Sequence, residues 1–338
     1  MKNRCLLLDA NHQLTIVMRE IPKAKYGEVV VKIHANGICG SDVHFFEEGR
    51  LGNFVVTVPY IPGHEVSGTV SELGEGVDIL NIGDRVVIEP GIPCGFCEQC
   101  KKGRYNLCPK VVFLSAPPID GTLCDYIAVN SNFVYRIPDS LSLEDAALVE
   151  PAAVGVQAVR RARFEKGATG LFFGAGPIGL MTMQAFRAAG GGKVICVDII
   201  SSRLEIAKKL SADMTVNPSV DSVDLSDMAD VVFETAGNAI TTKQLFTVAK
   251  PGGCVVQVGW PNNNIVPMNI ADMMDKELDY VSVNRYANAF PAAIRWLSDG
   301  RIQSKGFVTQ KYSFNDAAAA FEYARDNKDQ TIKVLIIN

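Results

Sequence analysis

Residues 170–179 read Gly-Leu-Phe-Phe-Gly-Ala-Gly-Pro-Ile-Gly, an apolar strand pattern that runs into a glycine turn. The pattern continues as a helix from Ile178 to Ala189 and as a strand from Lys193 to Val197, with Asp198 directly after it. A strand, a glycine turn, a helix and a second strand within about 30 residues are typical of a βαβ unit. The stretch therefore predicts a doubly wound, Rossmann-type parallel sheet of the α/β class.

The three glycines of this turn each meet a different requirement of dinucleotide binding. Gly174 allows the tight turn, Gly176 lets the backbone approach a pyrophosphate at the positive end of the helix, and Gly179 lets the helix and the strand pack closely. Asp198 follows about 20 residues later, where a carboxylate accepts hydrogen bonds from a ribose diol and repels a 2′-phosphate. The pattern therefore favours NAD over NADP as the cofactor.

Regular alternation of strands and helices continues after Asp198. Apolar segments of strand length alternate there with segments of helical periodicity, which is typical of a parallel sheet covered by helices. We therefore predict a Rossmann NAD-binding domain over residues 148–283. Its further elements are strands at Val231–Glu234, Cys254–Val258 and Leu278–Val283, a helix at Thr241–Lys250 and a turn at Pro251–Gly253.

The remainder of the chain shows a different pattern, with short apolar runs broken by glycine and proline. A chain of 338 residues exceeds the roughly 250–300 residues at which a single core stops growing, so two domains are expected. We assign residues 1–147 and 284–338 to a second, β-rich domain, to which the last strand returns. Its predicted elements are strands at Val29–His34, Val66–Leu73, Arg85–Ile88 and Lys333–Ile337, and helices at Phe290–Leu297 and Asp316–Ala324.

The composition excludes several classes of partner. The net charge is −4 and there is no long basic run, so nothing in the sequence favours nucleic acid or an anionic membrane surface. The first residues lack the pattern of a signal peptide, and no apolar stretch reaches about 18 residues. We therefore expect a cytoplasmic enzyme with a small-molecule substrate, which contacts neither nucleic acid nor a membrane.

Four of the nine cysteines lie close together, as Cys94-x2-Cys97-x2-Cys100-x7-Cys108. Thiolates at this spacing can share one tetrahedral zinc ion, with the fourth thiolate closing the site against water. Four filled positions leave no room for a substrate, so the pattern predicts a structural zinc in a lobe at 91–109. The alternative is a set of free or redox-active thiols.

A second metal site is indicated by Cys39 and by the pair His64-Glu65. A thiolate, an imidazole and a carboxylate are ligand types that zinc prefers, and three protein ligands leave a position open for a substrate. Ser41 and His44 follow Cys39 closely and are able to carry a proton away. These residues predict a zinc-assisted redox site.

Glu150 is a further candidate for that site. A helix is expected to open near Ser142, with Asp145 as its capping partner, and to end before Glu150-Pro151. Proline restrains the preceding residue to an extended conformation and suits the first position of a following helix, Ala152–Arg161. We therefore expect Glu150 to be an extended, fixed carboxylate at the domain junction; the alternative is a solvated glutamate at a helix end.

Taken together, these stretches resemble the zinc-containing medium-chain alcohol dehydrogenase family over the whole chain, and within it the sorbitol (L-iditol) and xylitol dehydrogenases. The resemblance implies a GroES-like catalytic domain beside the Rossmann domain, and NAD with one catalytic and one structural zinc ion as cofactors. It depends on the stretches GICGSDVH (37–44), EEGRLGNF (47–54), PGHEVSGTV (62–70), GDRVVIEPG (83–91), GRYNLCP (103–109), Pro117-Pro118-x2-Gly121, LVEP (148–151), FGAGPIGL (173–180) and Asn284-Arg285-Tyr286.

The resemblance also implies roles for individual residues. Cys39, His64 and a glutamate, either Glu65 or Glu150, hold the catalytic zinc, and Ser41 passes a proton through the cofactor ribose to His44. Residues implied to contact the substrate are Phe113, Arg285, Tyr286 and Phe45, which stands where many polyol enzymes carry a tyrosine. Residues implied to contact the cofactor are Gly174, Gly176, Pro177, Ile178, Gly179, Asp198, Arg203, Val258 and Val283.

The activity implied by the resemblance is NAD-dependent oxidation of a secondary hydroxyl of a polyol of the sorbitol, xylitol or L-iditol type, giving the ketose reversibly. A homo-oligomer, commonly a tetramer, is implied as well. Two alternatives stay open: a zinc dehydrogenase for a simple secondary alcohol, L-threonine or a sugar-alcohol phosphate, and a non-catalytic cofactor-binding protein.

Overall fold

The structure, a computed structural model, describes residues 2–261 and 265–338. The chain forms two compact units, Met1–Glu150 with Phe307–Asn338, and Pro151–Gly306. In the described parts of the chain, none of the helices has the length and apolar character that are needed to cross a bilayer.

The first unit is rich in short strands. Its first strands are β1 Lys2–Leu8, β2 Leu14–Glu20, β3 Glu28–Gly37, β4 Arg50–Leu51, β5 Phe54–Val55, β6 Glu65–Leu73, β7 Arg85–Ile88, β8 Gly91–Ile92, β9 Val112–Phe113, β10 Tyr126–Asn130 and β11 Val134–Arg136. Its first helices are α1 Gly40–Glu48, α2 Glu98–Lys101 and α3 Leu143–Ala146.

The second unit alternates between strands and helices, beginning with α4, which starts in the last residues of the first unit. Its helices are α4 Val149–Arg161, α5 Pro177–Ala188, α6 Ser201–Lys209, α7 Ala239–Val248, α8 Ile270–Asp275 and α9 Phe290–Ser298. Its strands are β12 Gly170–Phe173, β13 Val194–Val197, β14 Met214–Val216, β15 Ala229–Glu234, β16 Ala249–Gln257 and β17 Asp279–Ser282. The chain then returns to the first unit with β18 Val308–Ser313, α10 Ala317–Asp326 and β19 Lys333–Ile337.

The predicted parallel sheet is confirmed. Six strands pair in parallel in the order β14-β13-β12-β15-β16-β17, and every residue of the central strand β12 is buried. Phe172 of β12 stacks on Phe233 of β15 with ring centroids 4.8 Å apart, which joins two central strands through an aromatic pair. The strand order reverses between β12 and β15, where dinucleotides bind in open α/β sheets.

The sheet of the first unit has seven strands in the order β11-β7-β6-β3-β19-β18, with β10 also paired to β3. The predicted strands at Arg85–Ile88 and Lys333–Ile337 have the predicted bounds, and those at Val29–His34 and Val66–Leu73 lie within β3 and β6. The last strand does return to the first unit, because β19 pairs antiparallel with β3.

Two local predictions were wrong. Glu150 is not extended, because α4 already begins at Val149; Pro151 is tolerated there since the first turn of a helix needs no backbone N–H bond. The turn at Pro251–Gly253 does not precede its strand. It bulges out of β16, which is paired with β15 on both sides of it, at Ala249 and at Cys254.

Residues 284–306 pack with the second unit, whereas we expected them in the β-rich domain. The guanidinium group of Arg160 donates hydrogen bonds to the carbonyl oxygens of Ala287 (3.2 Å) and Asn288 (2.9 Å). The backbone N–H of Gln303 donates to the side-chain oxygen of Gln184 at 2.8 Å. These contacts connect sequence neighbourhoods more than 100 residues apart, so local patterns could not predict them.

Candidate metal centres and dinucleotide site

The antiparallel pairing of β3 and β6 brings the two halves of the predicted redox site together. In this register Gly37, at the end of β3, lies opposite Glu65, at the start of β6. A Cβ atom at residue 37 would lie 2.2 Å from Oε2 of Glu65, so only glycine admits the carboxylate at this position. Cys39 follows two residues after Gly37, and His64 precedes β6 directly.

Ligand atoms of Cys39, His64 and Glu65 lie within 4.8 Å of one another. His64 and Glu65 are buried, and within the described chain Nδ1 of His64 and Oε2 of Glu65 have no hydrogen-bond partner. Buried polar atoms are nearly always satisfied, and a buried carboxylate is costly unless it is paired or coordinated. A thiol, an imidazole and a carboxylate with two unsatisfied atoms therefore fit a zinc ion that keeps one position open.

The electrostatics of this cluster favour a positive charge. Burial lowers the pKa of His64, but Asp42, Cys39 and Glu150 outweigh this and raise it well above its usual value. Glu150 is itself buried, with 6% of its surface exposed. An imidazole surrounded by acidic groups holds either a proton or a metal cation, and the donor set is that of zinc.

Asp42 organises the two loops that carry the ligands, and the sequence analysis missed it. Its carboxylate accepts hydrogen bonds from the backbone N–H of Cys39 (3.0 Å) and of Gly63 (3.2 Å), and from the hydroxyl of Ser115 (2.9 Å). It also lies 3.7 Å from Nδ1 of His64. The available signal was the spacing: an acidic residue three positions after Cys39 completes a capping box at the start of α1.

Lys333 was also missed. Its ammonium group, on β19, donates to Oε1 of Glu65 at 2.7 Å and to the carbonyl of Ile38 at 3.1 Å. Burial lowers the pKa of Lys333, but Glu65 and Cys39 more than offset this and raise it above its usual value. The charged ammonium therefore compensates one oxygen of Glu65 and leaves the other for a metal. Only the pairing of β19 with β3 brings these residues together.

The predicted proton carriers lie on one side of α1. Ser41 and His44 are three residues apart, and residues at this spacing are neighbours on a helix surface. Ser41 is half-buried, whereas the side chain of His44 is 39% exposed, with Nδ1 3.7 Å from a carboxylate oxygen of Glu48. The pair therefore extends from a partly buried position towards solvent.

The predicted substrate contacts lie in different surroundings. The ring of Phe113 lies against the imidazole of His64, with centroids 5.6 Å apart. Phe45 is buried and packs edge-on against Tyr60 at 6.2 Å. Arg285 and Tyr286 belong to the second unit; Tyr286 is buried and its ring is 5.5 Å from that of Phe290, while burial lowers the pKa of Arg285.

The four clustered cysteines form a compact group in the structure. Sulfur atoms are 3.4 Å apart for Cys97 and Cys100, 3.5 Å for Cys94 and Cys108, and 3.9 Å for Cys94 and Cys100. Four sulfur atoms about 2.3 Å from a central ion make the tetrahedral zinc geometry, and a group this tight needs little movement to reach it. The predicted grouping is therefore what the fold produces.

Charge within this lobe also calls for a cation. The backbone N–H of Phe96 lowers the pKa of Cys94 to about 6, whereas burial and the neighbouring thiols raise the pKa of Cys100 to about 12. Once Cys94 is a thiolate, deprotonation of the neighbouring cysteines is therefore unfavourable unless a positive charge lies among them. A divalent metal removes that penalty, which matches a structural zinc site.

The glycine turn has the geometry that a pyrophosphate needs. Gly174 has φ of +97°, and a Cβ at residue 179 would lie 1.9 Å from the carbonyl oxygen of Gly174. A Cβ at Gly176 would meet nothing closer than the guanidinium group of Arg203, at 3.9 Å. Gly176 is the N-cap of α5, and Pro177 and Ile178 form its first turn. Open space, a helix N-terminus and a cationic side chain fit the pyrophosphate of a dinucleotide.

Asp198 lies directly after β13 and beside this turn. One carboxylate oxygen accepts a hydrogen bond from the backbone N–H of Ala175 at 2.6 Å, and the other accepts from that of Ile200 at 2.8 Å. Val258 and Val283 follow the carboxyl ends of β16 and β17, at the same edge of the parallel sheet as the turn. The predicted cofactor residues therefore share the edge at which ligands bind such sheets.

We expect Lys333→Met to destabilise the zinc-free protein by about 3–5 kcal/mol, because it leaves the buried carboxylate of Glu65 without its counter-charge. Lys311→Met is the matched control: Lys311 lies on β18, the strand next to β19, and forms an exposed ion pair with Glu144 of α3, so its loss should cost less than about 1 kcal/mol. Urea unfolding measures both. Equal losses in the two variants would contradict the role given to Lys333.

We expect Cys39→Ser and Cys97→Ser each to lose one of the two bound zinc ions, with different effects on stability. Cys97→Ser should lower the midpoint of thermal unfolding by several degrees, because four-thiolate zinc contributes folding energy. Cys39→Ser should lower the midpoint less, because Lys333 still pairs with the carboxylate of Glu65 after the zinc is lost. Metal analysis and calorimetry measure the two effects, and a similar drop in both midpoints would argue against separate metal roles.

The sequence matches known dehydrogenases along nearly its whole length. A model of the alcohol dehydrogenase GroES-like domain matches residues 25–139, and one of the zinc-binding dehydrogenases matches residues 177–299. The sorbitol dehydrogenase of Bacillus subtilis (strain 168) is 39% identical, with 98% of this chain and 96% of that protein covered. The D-xylulose reductase of Saccharomyces cerevisiae is 39% identical with the same coverage.

A solved structure agrees with these matches. An oxidoreductase of unknown specificity from Escherichia coli superposes with a TM-score of 0.94 and is 38% identical, with 100% of this chain and 99% of that chain covered. The two cysteine-containing clusters and the glycine turn correspond to the zinc and nicotinamide dinucleotide cofactors of such enzymes. The chain therefore belongs to the zinc-containing medium-chain alcohol dehydrogenase family, in the branch of the sorbitol dehydrogenases and D-xylulose reductases.

Proposed function

We propose that this enzyme transfers a hydride from a secondary hydroxyl group of a polyol to NAD⁺, giving the ketose, and that it also catalyses the reverse reaction. The observation that carries the proposal is the buried cluster of Cys39, His64 and Glu65, with its two unsatisfied atoms. A polyol of the sorbitol, xylitol or L-iditol type is the substrate class, because the curated relatives at 39% identity are a sorbitol dehydrogenase and D-xylulose reductases.

The ligands of the catalytic zinc in this proposal are Cys39, His64 and Glu65, and Glu150, whose charge acts on His64, acts on the same ion through water. Oε2 of Glu65 is unsatisfied while Lys333 holds Oε1, and this supports Glu65 as the direct ligand. When bound, zinc supplies a Lewis acid that lowers the pKa of a hydroxyl group on it. Asp42 holds the Cys39 and Gly63 backbones in place, so the ligands need little rearrangement.

In this proposal Ser41 receives the proton of the substrate hydroxyl and His44 releases it to solvent, and bound NAD would supply ribose hydroxyl groups between the two residues. The half-buried Ser41 receives it, and the exposed edge of His44 delivers it to solvent. An imidazole is suited to this step, because one of its ring nitrogens accepts a proton while the other donates one. The carboxylate of Glu48 lies 3.7 Å from Nδ1 of His44, close enough for its charge to pair with a protonated imidazole.

Several side chains position the substrate in this proposal. Phe113 forms an apolar wall beside His64 and excludes water there. Arg285 and Tyr286 hydrogen-bond polyol hydroxyls, and Arg285 is suited to this because its fork of N–H donors matches vicinal hydroxyl groups. Phe45 has no hydroxyl to offer to a polyol, and its ring is buried against Tyr60.

The remaining parts of the proposal concern assembly and location. We propose a homo-oligomer, a tetramer by likeness to the family branch, which acts in the cytoplasm. All nine cysteines are free thiols in the structure, as expected for a reducing compartment, and the two zinc sites need reduced thiolates.

The cofactor preference has its own prediction. Asp198→Ala should weaken NAD binding and relax the preference towards NADP, because the carboxylate that repels a 2′-phosphate is removed. The ratio of kcat/KM for the two cofactors measures this, and it should fall on the order of tenfold or more. Asp221→Ala, on a loop after β14, is the control. A wild-type enzyme that already prefers NADP would refute the role of Asp198.

The experiment that tests the proposed function is NAD reduction with D-sorbitol, xylitol, L-iditol, galactitol, L-threonine and 2-butanol, with and without a zinc chelator. We expect activity on the polyols alone, and we expect the chelator to abolish it. Activity confined to L-threonine or 2-butanol would keep the zinc dehydrogenase but refute the polyol substrate. Zinc and NAD binding without turnover of any alcohol would refute the enzymatic proposal.

A further inference from the structure

Two cysteines outside both metal sites face each other across a pair of extended segments. Cys5 lies on β1 and Cys124 lies just before β10, and the two form an antiparallel bridge. The backbone N–H of Leu6 donates to the carbonyl of Leu123 at 2.9 Å, and that of Asp125 donates to the carbonyl of Arg4 at 3.0 Å. These bonds flank Cys5 and Cys124, so the two cysteines are a non-hydrogen-bonded pair.

This type of pair brings side chains closest together. In a non-hydrogen-bonded antiparallel pair the Cα atoms are about 4.5 Å apart, and both side chains project to the same face. Disulfides form between residues whose Cα atoms are about 4.4–6.8 Å apart, so this pair lies inside the permitted range. The other buried thiols outside the metal sites, Cys196 and Cys254, lie on β13 and β16, which two strands separate.

The two thiols are chemically unequal. In the structure the thiol of Cys5 donates to the carbonyl of Asn3 at 3.6 Å, and the thiol of Cys124 donates to the carbonyl of Tyr126 at 3.2 Å. Interaction with the Cys124 thiol lowers the pKa of Cys5 and the charge of Arg19 lowers it further, although burial opposes both. Interaction with Cys5, together with burial, raises the pKa of Cys124 well above its usual value. A thiol–disulfide or peroxide reaction needs one thiolate to attack and one thiol to follow, and this pair supplies both.

We propose that Cys5 and Cys124 form a redox site, in which a peroxide converts the two thiols reversibly into a disulfide bond. The thiolate of Cys5 attacks one peroxide oxygen, the O–O bond breaks, and Cys5 becomes a sulfenic acid as water leaves. The sulfur of Cys124 then attacks the sulfenic sulfur, loses its proton and releases a second water. Two thiols and one hydrogen peroxide thus give one disulfide and two waters, and a thiol reductant reverses the change.

The cross-link would act on the segment that supports the catalytic cluster. The backbone N–H groups of Gly121, Thr122 and Leu123 donate to the carbonyls of Ile61 (2.6 Å), Gly63 (2.8 Å) and Pro62 (3.0 Å). These three carbonyls belong to the residues directly before His64. A disulfide bond from Cys124 to Cys5 on β1 therefore restrains the segment 121–124. Through the three backbone hydrogen bonds it also restrains residues 61–63, which precede the metal ligand His64.

The depth of the site sets the rate and selectivity of the reaction. Cys5 is 1% exposed and Cys124 is 2% exposed, so a bulky oxidant is excluded until β1 opens locally. β1 pairs with β2 along one edge, and isolated bridges to Cys124 and Tyr60 hold its other edge, so local opening of β1 breaks fewer backbone hydrogen bonds than opening of a central strand. Hydrogen peroxide is small enough to enter through such an opening, and oxidation is therefore slow and selective for small oxidants.

The test uses the zinc-loaded full-length protein, incubated for hours with a small excess of hydrogen peroxide. Remaining thiols are alkylated, and the protein is digested with trypsin without reduction. The tryptic peptides 5–19 and 111–136 each contain one cysteine, so a Cys5–Cys124 disulfide appears as one cross-linked mass. We expect this cross-link, its loss on reduction, and a rise in the midpoint of thermal unfolding of about 5 °C, because the bond closes a loop of more than 100 residues.

Variants separate this site from other thiols. Cys5→Ser and Cys124→Ser should each abolish both the cross-link and the rise in the midpoint, whereas Cys254→Ser should retain both. Absence of the cross-linked mass in oxidised wild-type protein would overturn the proposal, and so would single oxidation of either cysteine to a sulfinic acid. A cross-link that lowers the unfolding midpoint would also overturn it, because the native pair would then not accommodate the bond.

Discussion

A carboxylate with no exposed surface is the constraint on which the catalytic cluster depends. Glu65 is completely buried, and its charge has to be compensated inside the protein. Lys333 compensates one oxygen, and Gly37 supplies the space for the other by lacking a side chain. Three strands meet to make this arrangement, since Gly37 ends β3, Glu65 begins β6 and Lys333 begins β19. The pairing of these strands is therefore a condition for the metal site.

Different residues hold the ligands of the metal site in place, so the site is preorganised for zinc. Asp42 holds the backbone beside two ligands, while Lys333 holds a third ligand by its side chain. In the described chain, Nδ1 of His64 and Oε2 of Glu65 are left without a hydrogen-bond partner, and Oε2 is available to a zinc ion. A site prepared in this way loses little conformational freedom when the ion binds, so more of the binding energy is retained.

Local sequence patterns predicted those parts of the molecule whose requirements are local. The glycine turn at 174–179, the strand before it and the helix after it are each determined by neighbours within a few residues, and the structure has all three. The helical conformation of Glu150 was not predicted. Proline disfavours a helical conformation in the residue before it, but here α4 begins at Val149 and includes both Glu150 and Pro151 in its first turn. Lys333 carried no signal, because its partner is 268 residues away.

The nine cysteines show the same distinction within one residue type. Cys94, Cys97, Cys100 and Cys108 lie within 15 residues, so their spacing alone predicts a shared metal. Cys5 and Cys124 are separated by more than 100 residues and show no motif, yet the fold makes them direct neighbours. A short spacing gives four ligands that a metal can collect during folding, whereas a long spacing gives two thiols that meet only after the surrounding strands have formed. Disulfide formation between Cys5 and Cys124 therefore requires the folded state. Zinc binding by the four clustered cysteines instead contributes to the stability of that state.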